Sequence, residues 1–125
     1  MGKKKRNKSI KKRQPTTHDK IIDMLEQRLS KDGRNIFTEY EYSHHGDHEA
    51  DILVLDWKRR YAYAIEVKTT DSPKARGKAR KQLYSDKKYI QDRHGINRVF
   101  MFYAHKDLYG TSPYVIERVK MRLFK

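Results

Sequence analysis

Cysteine is absent from this 125-residue chain, which excludes disulfide bridges and every thiolate metal site. No apolar run approaches the length of a membrane span, and the N-terminus lacks the apolar segment of a secretory signal. An intracellular, cytoplasmic location with no membrane partner is therefore expected. Proline and glycine are sparse, at 3 and 6 residues, so the few present carry weight as punctuation. Acids are missing altogether from the first fifteen residues, which hold eight bases, Lys3, Lys4, Lys5, Arg6, Lys8, Lys11, Lys12 and Arg13. Such a stretch repels itself and has almost nothing to bury, so residues 1–15 read as a disordered basic arm. The length beyond it allows one small domain, residues 16–125.

What is present is positive charge. The chain carries 30 Lys+Arg against 16 Asp+Glu, a net +14. Without the arm the balance is still +6, with 22 bases against the same 16 acids. A basic body with a basic arm points to a polyanion partner.

The apolar pattern predicts the elements in order. Thr16 with Asp19 forms a variant capping box opening a helix to about Lys31, with Gly33 as its stop. Ile22, Leu25 and Leu29 form its buried stripe, with Ile21 at the margin. His18 falls on that stripe in the first turn, and Glu26 at its edge. Asn35–Tyr42 alternates as a strand, with Phe37, Glu39 and Glu41 on one face and Tyr40 and Tyr42 on the other. A loop containing His44, His45 and His48 follows. Ala50–Asp56 and Tyr61–Lys68 are the next strands, joined by a turn at Trp57–Arg60. Small residues Ala62 and Ala64 on the third strand allow a helix to approach. Ser72 as N-cap and Pro73 as first helical residue start a second helix to about Arg93, closed by Gly95. Arg98–Ala104 is a further strand. Ser112–Leu123 alternates as a last strand that could turn helical. The expected class is α/β, in the order α-β-β-β-α-β with a further strand at the end.

The most informative stretch is Asp51-Ile-Leu-Val-Leu-Asp56 followed by Ala64-Ile-Glu66-Val-Lys68. Strand side chains alternate, so Glu66 and Lys68 share a face. The hairpin brings Asp51, at the start of one strand, beside the end of the next. Asp51 also suits a turn former, and Glu66 with Lys68 a solvated charge pair. Their place beside nearly unbroken apolar runs, where an unpaired charge is expensive, favours a site. Two carboxylates can hold a hard divalent cation, and a lysine beside it can stabilise a phosphate transition state.

This pattern resembles the PD-(D/E)xK nuclease superfamily, which includes restriction endonucleases, archaeal Holliday-junction resolvases and RecB-like nucleases. Its signature is an acid and, further on, acid-x-Lys, here Asp51, fourteen intervening residues, then Glu66-Val67-Lys68. Ala50 stands where the family name has proline. The resemblance covers residues 16–125 and implies a restriction-endonuclease-like core, a mixed sheet flanked by helices. It implies phosphodiester hydrolysis with Mg²⁺ or Mn²⁺ held by Asp51, Glu66 and the carbonyl of Val67. Lys68 would orient the attacking water or stabilise the pentacovalent phosphorus. His18 resembles the histidine ligand of RecB-like relatives, with Glu26, Glu39 and Glu41 as alternatives. Gln82 resembles a glutamine that supports the lysine or the DNA. Lys74, Arg76, Lys78, Arg80 and Lys81, at the start of the second helix, would form the phosphate track, since a helix N-terminus welcomes anions.

The expected partner is DNA, and charge alone leaves RNA open. A Holliday-junction resolvase would need two active sites and hence a homodimer. A module of another class, binding nucleic acid on a nuclease fold without catalysis, would have no use for three costly charges. The three loop histidines lack a fourth ligand for a closed zinc site. Their loop reads as a contact to substrate leading into Asp51.

Overall fold

The computed structural model describes residues 16–42, 48–107 and 109–120. The basic arm, the loop residues His44 and His45, and the end of the chain beyond Lys120 lie outside them. The first helix, α1 (Thr17–Leu29), opens on the expected capping box. Thr16 Oγ1 accepts the Asp19 N–H at 3.0 Å, and an Asp19 carboxylate oxygen accepts the Thr16 N–H at 3.1 Å. Two of the helix's orphan donors are thereby satisfied. Ser30 caps its C-terminus. Gly33 then turns the chain at φ 89°, packed so tightly on Lys58 that an added Cβ would lie 2.6 Å from the lysine Cβ.

Three strands follow as an antiparallel meander: β1 (Arg34–Glu41), β2 (Glu49–Asp56) and β3 (Tyr61–Lys68). Helix α2 (Pro73–Tyr89) crosses the sheet and ends in one π turn, Ile90–His94, closed by Gly95 in the left-handed region at φ 72°. Ser72 accepts the Ala75 N–H and Pro73 occupies the first turn, as expected. The crossover makes β4 (Val99–Lys106) parallel to β3, and β5 (Tyr114–Val119) closes the edge antiparallel to β4. The sheet runs β1-β2-β3-β4-β5. The molecule is thus α/β, a mixed five-stranded sheet with two helices, and β5 extends the expected series. No helix among the described residues is long and apolar enough to cross a membrane.

Strand alternation divides the core. On one face Ile21, Ile22 and Leu25 of α1 cover Ile52, Val54, Ile65 and Val67. On the other Leu83 and Ile90 pack on Leu53, Leu55, Ala62, Ala64 and Met101. Ala62 and Ala64 are fully buried, as a closely approaching helix requires. Each fully buried leucine contributes about 1.5–3 kcal/mol relative to exposure. Two expectations change. Ile21 is 1% exposed and belongs to the core rather than its margin, while Leu29 is only partly buried. Phe37, Tyr40 and Tyr42 all pack on the α2 side, not on opposite faces. The cause is Glu39, whose φ of 48° kinks β1 and shifts the alternation by one residue.

Candidate active site

The site is built where the β2–β3 ladder stops. The two strands pair from Asp56↔Tyr61 to Ile52↔Ile65. In that register Asp51 and Glu66 are the next opposing positions. The Val67 N–H donates to an Asp51 carboxylate oxygen at 2.7 Å, so a side chain takes the place of a backbone acceptor. Asp51 is thereby fixed beside Glu66, and both are nearly buried, at 9% and 7% exposure. Lys68, next on the same face as Glu66, places its Nζ 3.8 Å from Glu66 Oε2. The second glutamate oxygen, Oε1, is buried without a hydrogen-bond partner. Val67 points its side chain into the α1 core and contributes its main chain to the site.

His18 reaches the same place from the first turn of α1. Its Nε2 lies 3.5 Å from Asp51 Oδ2. Among the alternatives, Glu39 joins His18: ligand atoms of His18, Asp19 and Glu39 lie within 4.8 Å of one another. Asp19 also serves the capping box. Glu41 pairs with Glu49 across β1 and β2, and Glu26 lies further along α1, with its carbonyl taken by Ser30.

Electrostatics mark the cluster. Burial first, then the charges of Asp51 and Asp86, push the Glu66 carboxyl up to about 9, against the opposing pull of Lys68. The hydrogen bond that His18 donates to Asp51 raises the histidine above its usual 6.5, partly offset by burial, with the charges of Asp51, Glu39 and Asp19 adding to the rise. At the rim, desolvation and the acids Asp51, Glu39 and Glu41 raise Glu49. Although the chain's net charge is +14, Asp51, Glu66, Asp86, Glu39 and Glu49 feel one another's charge here, and Lys68 is the cation beside Glu66.

Asp86 was not foreseen. It sits on α2, fully buried behind Glu66, and one of its oxygens has no partner. The other accepts from Tyr42 at 2.7 Å and from Gln82 at 2.8 Å. Burial lifts it to about 6 against those two hydrogen bonds. Gln82 therefore holds Asp86 and Tyr42 rather than reaching Lys68. A clue existed in the sequence: Gln82 and Asp86 stand four apart on the apolar stripe that includes Leu83.

The basic start of α2 divides. Lys74, Lys78, Arg80 and Lys81 are exposed. Arg76 is engaged: it forms a fork with Asp71 at 2.7 and 3.0 Å and donates to Glu117 at 2.8 Å. Its guanidinium lies over the Tyr103 ring, and the His105 Nε2 stands 3.4 Å from Glu117 and 3.6 Å from Asp71. This network fastens the segment after Lys68 to β4 and β5. Of the loop histidines, only His48 is described, stacked on Tyr42 at 5.7 Å.

Comparison of the chain with family models, with curated proteins and with solved structures gives no match.

Proposed function

We propose that this chain is a metal-dependent DNA nuclease with a restriction-endonuclease-like core of the PD-(D/E)xK kind. The observation that supports it most is the convergence of Asp51, Glu66 and Lys68 where the β2–β3 ladder stops, with Glu66 Oε1 buried and unpartnered. Buried carboxylates that repel one another, one with an orphaned oxygen, suit a hard cation. Asp51, Glu66 and the Val67 carbonyl would hold Mg²⁺ or Mn²⁺, with His18 or Glu39 completing the set. Such an ion lowers the pKa of a bound water and neutralises charge building on phosphate.

The chain's own groups do the rest. Lys68 stands beside Glu66 on the face turned toward α2, placed to donate to a phosphate oxygen as its charge rises. Asp51 holds the backbone of Val67 and thereby fixes the spacing between Glu66 and Lys68. Lys74, Lys78, Arg80 and Lys81 begin one short loop beyond Lys68 and would seat the phosphates on either side of the scissile bond. Arg76, fastened to Asp71 and Glu117, holds that loop in place. The deciding experiment incubates the protein with circular, linear and four-way-junction DNA, with and without Mg²⁺ or Mn²⁺. Metal-dependent cleavage of at least one substrate is expected, and binding without cleavage of any would remove the catalytic reading.

A further inference from the structure

The opposite end of the sheet carries a second surface. On the α1 side, β3 presents Tyr61 and Tyr63 and β4 presents Phe100 and Phe102, none of them buried. The rings form a contiguous patch: Tyr63 meets Phe102 edge-on at 5.2 Å, and Tyr61 meets Phe100 at 6.0 Å. Beside it an open groove of about 190 Å³ runs between Leu25 and Leu29 of α1 and the rings of Tyr63 and Phe102. Arg118 lies over the Phe100 ring at 4.7 Å, and Arg98 at 5.7 Å. Both arginines are exposed, and neither has a carboxylate partner among the described residues. Asp56, on the same face, is buried and answered by Arg34 and Arg59.

Arg34 already lies over the Tyr61 and Tyr63 rings, at 5.8 and 5.2 Å, and we propose that this face binds an unpaired nucleic-acid strand, its bases stacked on Phe100 and Phe102 and its phosphates met by Arg98 and Arg118. A single strand offers both things the surface asks for, a flat π face for the rings and an anion for the guanidiniums. A second copy of the chain fits poorly. A two-fold contact would set the same patch against itself and oppose like charges in a protein of net +14. An apolar protein partner would have to desolvate two guanidiniums that have no carboxylate partner among the described residues. The surface lies at the start of β3 and β4, away from Glu66 and Lys68 at the end of β3, so it stands or falls apart from the carboxylate site.

The test measures binding in EDTA, where cleavage does not enter. The probes are a fluorescent thymidine oligonucleotide of about 12 units, its uridine counterpart, and an abasic backbone of the same length and charge. Wild-type protein should bind the base-bearing strands at least about tenfold more tightly than the abasic one, because stacking adds an attraction that the backbone alone does not offer. Phe100→Leu with Phe102→Leu should bring the affinity for the base-bearing strands close to that for the abasic one. Should that variant fail to melt cooperatively, Arg98→Gln with Arg118→Gln, both exposed, should lower the slope of log affinity against log salt by about 1–2. Equal affinity for base-bearing and abasic probes overturns the proposal. So does a wild-type dimer in sedimentation that Phe100→Leu dissociates, which would make the face a contact between copies.

Discussion

The two ends of the β2–β3 pair treat a buried acid in opposite ways. At the hairpin end, Asp56 is fully buried, and Arg34 and Arg59 approach it at 2.8 and 3.0 Å while the Arg59 N–H donates at 2.8 Å. Burial there is overridden by the arginines, which hold the carboxyl down to about 2. At the open end, Glu66 is about as deep but faces Asp51 and Asp86, and it is driven up to about 9. The same hairpin thus contains an acid that stabilises it and an acid it merely tolerates. Where the neighbours answer a charge, the group belongs to the architecture. Where neighbouring acids outweigh the one lysine, the group costs the fold, and the proposed function gives that cost a use.

The largest effect should come from the open end and leave the fold alone. Lys68→Ala should lower the cleavage rate on the order of 100- to 1,000-fold, and Asp51→Asn should reduce it to background. DNA affinity should change little in either, because phosphate contacts elsewhere supply it. Cleavage by both variants at the wild-type rate would place the site elsewhere.

The hairpin end should respond in stability instead. Asp56→Asn leaves Arg34 and Arg59 without their anion and should lower Tm more than any other acid-to-amide change in the protein. The two acids also predict opposite pH limbs. Asp56 has a depressed pKa, so its contribution is present above about 3.8 and is lost as pH falls toward about 2. Glu66 has a raised pKa, so the fold is favoured below 4.5 and loses stability as pH rises through about 9. Glu66→Gln should flatten that alkaline limb and raise Tm at neutral pH by a few degrees. Thermal melts across pH that show no difference between Glu66→Gln and wild type would erase the contrast between the two ends.

The smallest effect concerns His18. Asp51→Asn should bring its pKa down toward 6.5, which ring-proton NMR reads directly. His18→Ala should raise the Mn²⁺ concentration needed for half-maximal cleavage roughly tenfold. If it lowers Tm and leaves the metal requirement unchanged, the histidine serves only the helix.

Much of this was legible in the chain because it rests on local rules. Strand β3 was expected at Tyr61–Lys68, the span it occupies. Ser72, Pro73 and Gly95 marked both ends of the second helical segment, since caps and left-handed stops are read residue by residue. The meeting of Asp51, Glu66 and Lys68 followed from alternation plus one hairpin. What escaped depends on distant packing or on a single backbone angle. Asp86 becomes part of the site only because α2 lies across the sheet and Tyr42 reaches it from β1, a contact between residues 44 apart in sequence. The left-handed Glu39 has no signature in the sequence, yet it decides which way Phe37, Tyr40 and Tyr42 point. Arg76 looked like one more base in a basic run, and its two carboxylate partners come from the preceding loop and from β5.

The kink at Glu39 has a further consequence for life at high concentration. Among the described residues, strand β1 lies at the border of the sheet, with β2 on one side and no strand on the other. A straight, uncharged border of that length is a template on which another chain can add a strand, the first step toward aggregation. A left-handed residue in mid-strand spoils the regular row of donors and acceptors such a chain would need, and a glutamate there adds charge. The distortion that turns three aromatic rings toward the core also discourages neighbouring molecules from continuing the sheet.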